Sequence, residues 1–555
     1  MKIKDIIRKE IEKSAKSLKI QLNTMYSIEI PKVKEHGDFS SNVALISCKL
    51  NEKNPMELAE IICAKLQRNK NFDEVTVAKP GFINFKISRN LYVEVIKSIL
   101  ELGDEFGRSE YGEGKKVLLE FVSANPTGPL NIVSARAAAY GDTLYRIMSF
   151  IGFDPTREFY INDAGNQVEI LAESIELRFR ELLGEKIDDM PMEAYHGEYV
   201  KELAQKLNTM EGSRILHMSE IERIQKIKKF ALDEIHEMQV ESLEKFDVEF
   251  DSWISEKAIR SMGIIEEVLS YLYESKVTYE KDDAIWFMAT KFGDEKDRVL
   301  LKADGLPTYF VPDIAYHTTK YQREYDVIID VLGPDHHGYI QRLIAALSAL
   351  KYDEKKLEFI FLQQVNLFNE GEKIKMSKRA GKIVTMNELI DEVGKDAARF
   401  FFIDRKPNSH LNFDLELAKK QSSENPVYYC QYAYARICSI LDKADKLQFK
   451  TKEIDFTKLK KLNRPDEFEI IKKLQEFPDV LIGCSDFREP HRLSEYLKEL
   501  SGSFHRYYHE CGILNKRTKD TTFARLYLIK AVKNVLSTGL NLIGVSSPDK
   551  LYKLK

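Results

Sequence analysis

The sequence predicts an α/β chain in three parts, built around a doubly wound parallel sheet. Three observations predict it. Residues 117–140 read as a buried strand, a loop stiffened by Pro126 and Pro129, and an alanine-rich helix, the opening unit of such a sheet. Asp326-Val-Ile-Ile-Asp-Val-Leu332 and Phe359-Ile-Phe-Leu362 are short apolar runs, as strands covered on both faces must be. From about residue 415 to 555 the pattern is helical throughout. Sheets of this kind bind nucleotides at the carboxyl ends of their strands, where helix N-termini face phosphate.

Length and composition set the bounds. A chain of 555 residues accommodates roughly two to four domains. With 43% hydrophobic and 31% charged residues it reads as an ordinary water-soluble protein. A net charge of -4 argues against a uniformly basic coat for nucleic acid, but leaves local basic patches open. The six cysteines form no Cys-x-x-Cys pair, which argues for reduced thiols in the cytoplasm and against a zinc site. The first residues turn directly amphipathic, without a signal-peptide core, and no apolar run is long enough to span a bilayer.

Residues 1–110 predict a small α/β domain. Ile6, Ile7, Ile11 and Leu18 mark one side of a helix over Ile3–Leu18. Ser27-Ile-Glu-Ile-Pro31 is a strand, His36-Gly-Asp-Phe-Ser-Ser-Asn42 a turn-rich loop, and Pro55 opens a helix through Leu66. Val75-Thr-Val-Ala78 and Phe82-Ile-Asn-Phe-Lys-Ile87 are strands around a Pro-Gly turn. The glycine-rich stretch 103–114 is a linker, so the nucleotide-binding domain is placed at 111–415. Within it, residues 166–280 are charged and mostly helical, an insertion between the halves of the sheet. The second half resumes with Ala284-Ile-Trp-Phe-Met288 and Val299-Leu-Leu-Lys302 as strands. Residues 416–555 form an all-helical domain in which Tyr428, Tyr429, Tyr432 and Tyr434 read first as core.

Two stretches carry the chemistry. Glu120-Phe-Val-Ser-Ala-Asn-Pro-Thr-Gly-Pro-Leu130 ends the first strand, and Lys375-Met-Ser-Lys-Arg379 lies far downstream. Together they resemble the signatures of class I aminoacyl-tRNA synthetases, with wording similar to that of arginyl-tRNA synthetases. Tyr160-Ile-Asn-Asp-Ala-Gly-Asn-Gln167, Gly333-Pro-Asp-His-His-Gly-Tyr339 and Asn425-Pro-Val-Tyr-Tyr-Cys-Gln-Tyr-Ala-Tyr-Ala-Arg436 match further family segments, so the resemblance spans nearly the whole chain. It implies a Rossmann-type catalytic domain with a helical insertion. It also implies an N-terminal domain that contacts tRNA and a C-terminal all-α anticodon-binding bundle. The implied protein is a cytoplasmic monomer that uses ATP, L-arginine, tRNA and Mg2+.

The implied reaction has two steps. The arginine carboxylate attacks the α-phosphate of ATP, giving arginyl-adenylate and pyrophosphate. The 2′-hydroxyl of the terminal tRNA adenosine then takes the arginyl group. The first step needs alignment and cations that follow the charge on the phosphates. Lys375, Lys378 and Ser377 suit that role, with Asn131 and Ser134 beside them. By resemblance Pro126, Gly128, Asn131, Ser134, His336, His337, Met376 and Lys378 border ATP. Recognition of arginine needs a carboxylate, because a guanidinium is a permanently charged planar fork. Tyr309 and Asp313, four residues apart, share one helix face, and Asn125, Asp335 and Glu120 join them by resemblance. Tyr432, Arg436 and Arg506 are the candidates for contact with tRNA, and no metal site is expected.

One departure stands out. The family's first signature ends His-x-Gly-His, where this chain has Asn131-Ile-Val-Ser134. Asn131 and Ser134 can donate hydrogen bonds but cannot be cationic, and Val133 fills the space glycine leaves. The helix start is expected to keep its N–H groups and dipole for phosphate. Two other readings compete. One is a tRNA-binding relative without ligase activity. The other is an Asp-His-His phosphoesterase, for which the further aspartate motifs are missing.

Overall fold

The computed structural model describes residues 3–31, 33–187, 190–374, 384–449 and 454–551, without the side chains of Lys34, His336 and His337. Residue spacing explains the first helix. Ile3, Ile7 and Ile11 recur every fourth position and are fully buried in α1 (Ile3–Leu18), while Ile6 and Leu18 are only partly covered. The N-terminal domain continues with β1 (Ile28–Glu29), β2 (Phe39–Ser41), α2 (Val43–Ser47), α3 (Pro55–Leu66), β3 (Phe72–Ala78), β4 (Phe82–Ile87) and α4 (Arg89–Leu102). Its antiparallel sheet runs β1-β2-β4-β3. The loop expected at 36–42 therefore contains a strand. Three residues are too few for alternation to show, but Phe39 and Ser41 point into the core and Phe39 pairs with Phe85.

The central sheet is parallel, in the order β12-β11-β5-β6-β7. Its members are β5 (Lys116–Glu120), β6 (Asp154–Ile161), β7 (Ser252–Ser255), β11 (Val327–Leu332) and β12 (Leu357–Phe361). Val117, Leu118 and Leu119 of β5 are fully buried because strands flank β5 on both sides and helices cover both faces. Strand order reverses at β5. The chain leaves it through α5 (Ile132–Phe150) to β6 on one side, and β11 returns on the other. That reversal opens a crevice at the carboxyl ends.

Two expectations are corrected here. Ala284–Phe287 (β9) and Arg298–Leu301 (β10) are strands, but they pair antiparallel with Thr278–Lys281 (β8) in a separate three-stranded sheet. Asp282 and Asp283, both at positive φ, turn β8 tightly back into β9, a geometry for antiparallel neighbours. The stretch 166–280 also contains β7, the outer strand of the central sheet. Ser-Trp-Ile-Ser carries no continuous apolar run, since an edge strand is buried on fewer sides. The helical insertion proper is α6 (Asn166–Leu182), α7 (Glu198–Glu211) and α8 (Glu220–Lys245), packed on Leu171, Ile175 and Phe179.

Between the sheets lie α9 (Glu256–Ser261), α10 (Ile264–Glu274), α11 (Phe310–Gln322) and α12 (His337–Ala349). After β12 come β13 (Val365–Asn369), β14 (Glu372–Lys373), α13 (Met386–Val393), α14 (Lys395–Ile403), β15 (Leu411–Asp414) and α15 (Leu415–Lys419). The last part is helical: α16 (Pro426–Lys446), α17 (Pro465–Asp486), α18 (His491–Glu510) and α19 (Lys519–Leu542). The glycine-rich stretch before β5 is packed rather than loose, since Phe106 is buried and stacks on Phe477 at 6.3 Å.

Arg399 of α14 locks these parts together. Fully buried, it pairs with Asp142 of α5 at 2.5 Å and donates to the carbonyls of Ile543 at 2.9 Å and Phe246 at 3.0 Å. Gly544 lets it in: with φ at +68°, a Cβ there would stand 2.2 Å from Arg399 Nε. Gly544→Ala is expected to cost about 2–4 kcal/mol, from overpacking plus left-handed strain. Urea unfolding of the full chain checks this, and a change under about 0.5 kcal/mol would show that the junction yields freely.

Candidate active site

A cavity of about 590 Å³ opens at the carboxyl ends of the central strands. The chain leaves β5 through Val122 and Ser123, both left-handed at φ +69° and +39°. That conformation costs a β-branched residue roughly 1–2 kcal/mol, and neighbouring contacts hold it. Ser123 Oγ donates to Glu120 at 2.8 Å and accepts from the Tyr160 amide at 3.1 Å. The helical insertion holds the rest of the loop. Gln239 donates to the carbonyls of Asn125 at 3.2 Å and Gly128 at 3.0 Å, and Tyr199 donates to that of Thr127 at 2.7 Å. Pro126 is buried under this clamp, and Gly128 lies against the Tyr199 ring. Asn125 lines the cavity and donates to Gln167 at 2.9 Å.

The altered signature has a definite local structure. Asn131 is the N-cap of α5, and its Oδ1 accepts from the amides of Val133 at 2.9 Å and Ser134 at 3.1 Å. This corrects the expectation that the helix start holds its N–H groups out for phosphate: two of them are bonded to Asn131. Ser134 Oγ donates to the same oxygen at 3.4 Å. Val133 is 39% exposed and lines the cavity. The backbone of Asn131 bridges Thr385, and the Met386 amide donates to the Leu130 carbonyl at 2.7 Å. The α5 start is therefore joined to the chain that follows residues 375–383. Lys375, Met376, Ser377 and Lys378 lie outside the described residues.

The cavity floor is a buried charge network. Lys320 of α11 is fully buried, 2.5 Å from Glu120 and 2.6 Å from Asp330. Burial alone would lower its pKa, but the two carboxylates outweigh burial and raise it. Burial would raise Asp330, but Lys320 and His317 pull it down to about 2. Tyr316 directs its one hydroxyl proton between Glu120 at 2.9 Å and Glu158 at 2.8 Å, and Arg323 pairs with Glu158 at 2.5 Å. Glu120, expected as an arginine ligand, thus already shares the Lys320 cation with Asp330.

Asp313 differs. It has no ion-pair partner among the described residues and lines the cavity. Burial raises its pKa, and Glu256 and Glu120 add to that, against the lowering effects of Tyr339 and His317. An acid pushed toward its neutral form in an open cavity is one that a cation would stabilise. Tyr309 stands at the mouth, 72% exposed. Asp335 is exposed in the turn Pro334–His336 after β11, and the backbone of His337 begins α12. The cavity thus gathers Glu120, Asn125, Asn131, Ser134, Tyr309 and Asp313.

The residues expected to contact tRNA lie elsewhere, on α16 and α18. Arg436 sits between the rings of Tyr432 at 5.2 Å and Tyr508 at 5.1 Å, and Arg506 is exposed. The tyrosine stripe read as core is divided: Tyr434 is buried, while Tyr428, Tyr429 and Tyr432 reach the surface. A larger groove, about 1200 Å³, separates the N-terminal sheet from α17 and α18. Its Lys472 and Lys473 are paired with Asp38 at 2.8 Å and Glu476 at 2.9 Å.

Sequence reasoning missed Lys320, Tyr316, Glu256 and Tyr339. Asp313, Tyr316 and Lys320 recur at helical spacing on α11, a polar inward face that periodicity could have flagged. Lys320→Met would leave Glu120 and Asp330 buried without their cation. The expected loss is about 3–5 kcal/mol at neutral pH. Asp330 is depressed in the fold, so its contribution is present above its ordinary pKa of 3.8 and lost as pH falls toward about 2. The stability gap between wild type and variant should therefore be full above about pH 4 and shrink as pH falls toward about 2; a gap that does not change with pH would contradict the network's role.

With this geometry in hand, the comparisons with known proteins are specific. Residues 95–431 match the class I tRNA synthetase (R) catalytic domain, residues 1–87 the arginyl-tRNA synthetase N-terminal domain, and residues 430–551 the DALR anticodon-binding domain. Arginine--tRNA ligase of Carboxydothermus hydrogenoformans is 43% identical over 526 residues, covering 95% of this chain and 94% of its relative. That of Bacillus licheniformis is 42% identical and covers 99% of both chains. The fold matches the Thermus thermophilus arginyl-tRNA synthetase with a TM-score of 0.74 over 99% of this chain and 100% of that one, at 20% identity. The catalytic-domain match and the whole-length relatives place this chain in the arginyl-tRNA synthetase family of class I aminoacyl-tRNA synthetases.

Proposed function

We propose that this chain joins L-arginine to its tRNA at the expense of ATP, through arginyl-adenylate. The observation that carries the reading is Asp313. Among the described residues it is the cavity carboxylate without an ion-pair partner, while Glu120 and Asp330 are committed to Lys320, Glu158 to Arg323 and Glu256 to Arg260. A guanidinium supplies the charge and paired donors that this acid lacks. Tyr309, exposed at the mouth, covers the bound side chain, and Asn125 and Asp335 border its other end. Asn131 and Ser134 set the helix start against ATP, with Pro126, Gly128, His336 and His337 around the nucleotide.

In the first step a carboxylate oxygen of arginine bonds to the α-phosphorus and the bond to pyrophosphate breaks. Lys375, Lys378 and Ser377 follow the charge onto the leaving phosphates, next to Met376. That segment rejoins the described chain at Val384 and Thr385, where Thr385 bridges Asn131. Mg2+ enters with the triphosphate as part of the substrate. In the second step a ribose hydroxyl of the tRNA end attacks the arginyl carbonyl and releases AMP. The helical domain carries tRNA through Tyr432, Arg436 and Arg506. The protein works as a cytoplasmic monomer, as the family resemblance implies. The reading as a tRNA-binding relative without ligase activity draws no support, since the matched relatives are ligases by name.

The test is attachment of radiolabelled arginine to tRNA from the same cell, with ATP–pyrophosphate exchange measured with and without tRNA. Absence of both activities would refute the reading. The pH dependence is a second check. Arginine binds the ionised form of Asp313, whose pKa is raised in the free pocket by burial. Binding therefore releases a proton at low pH. The KM for arginine should rise as pH falls through that raised pKa and level off above it, with no matching trend for ATP.

A further inference from the structure

We propose that Tyr339 is a positioning residue for the Asp313 carboxylate and so sets selectivity for a guanidinium over an ammonium; this rests on the arginine reading above. Tyr339 stands in the first turn of α12 and lines the same cavity as Asp313. Its ring is held from two sides, edge-on to Phe310 at 6.2 Å and under the Arg342 guanidinium at 5.0 Å. The hydroxyl that this ring delivers is buried and reaches no partner at full hydrogen-bond geometry, although Asp313 is near enough for the two groups to shift each other's pKa. Such an orphan is uncommon, because a buried hydroxyl without a partner carries an uncompensated desolvation cost. It lies beside Asp313, whose pKa it lowers.

An orphaned donor next to an unpaired acid is a pocket half assembled. When a cation ionises Asp313, the hydroxyl can donate to one carboxylate oxygen and fix the plane of the group. A fixed plane matters to a planar fork, which needs both oxygens aligned, and matters little to a compact ammonium. The other charged or titratable neighbours of Asp313 are His317 on α11, Glu256 on α9, Glu120 on β5 and Tyr160 on β6, while Arg342 on α12 faces Tyr339. None of them combines a locked ring with a free donor.

Tyr339→Phe removes only the hydroxyl and leaves the ring packing intact. In the full-length protein, steady-state charging should show the arginine KM raised about tenfold, as expected for one lost hydrogen bond to a charged group. The KM for ATP and kcat should stay within about twofold. The pH at which the arginine KM begins to climb should move upward, since Asp313 loses a group that favours its charge. Discrimination against lysine and ornithine in pyrophosphate exchange should fall. An unchanged arginine KM and pH profile, or equal damage to arginine and ATP with a lowered melting temperature, would overturn the proposal and leave Tyr339 as packing. A wild-type protein that charges no arginine would instead sink the parent reading, and the proposal with it.

Discussion

The Lys320 ammonium between Glu120 and Asp330 is the contact on which the site depends. Glu120 ends β5, Asp330 lies in β11 and Lys320 comes from α11, so one buried cation joins two neighbouring strands to the helix above them. An ion pair this deep adds little net stability over a packed apolar cluster, but removing one partner is costly. It therefore holds position more than it adds stability. With Lys320 in place, Tyr316, His317 and Asp313 occupy set heights on the same helix, and Glu120 and Asp330 share a cation. Asp313 remains for a ligand to answer. The proposed selectivity for a cation rests on which acids the fold has already paired as much as on what it leaves exposed.

Much of this was legible in the sequence, for physical reasons. The strand, proline loop and helix of residues 117–140 announce themselves because a strand covered on both faces must be an unbroken apolar run. Asp313 and Tyr309 stand out because one helical turn places them together. What escaped notice was short or distant. β2 has three residues and β7 lies at a sheet edge, so neither leaves a periodic trace. β8 to β10 carry strand-like composition, which says nothing of which sheet they join. The partners of Lys320 lie 200 residues away in Glu120 and 10 away in Asp330, and no local pattern reports such a pairing.

The altered signature is where local rules gave the better guide. Asparagine is among the strongest N-cap residues, and at position 131 it does what that preference predicts, closing two helix amides on its own oxygen. Weighing it only as a substitute phosphate donor overlooked this. The same residue is bridged to Thr385, whose side chain and that of Glu388 form a capping box at the start of α13. The helix start and the chain leaving the downstream signature are thus one hydrogen-bonded unit, built without histidines.

The central claim is that Asp313 is the carboxylate reserved for the arginine side chain. Asp313→Asn keeps its shape and removes its charge, and steady-state charging with full-length tRNA measures the outcome. Loss of a buried charge partner costs on the order of 2–5 kcal/mol. The account predicts an arginine KM raised at least about thirtyfold, as that range converts at 1.4 kcal/mol per decade, with the KM for ATP within about twofold of wild type. Equal rises for both substrates, or no rise for arginine, would contradict it.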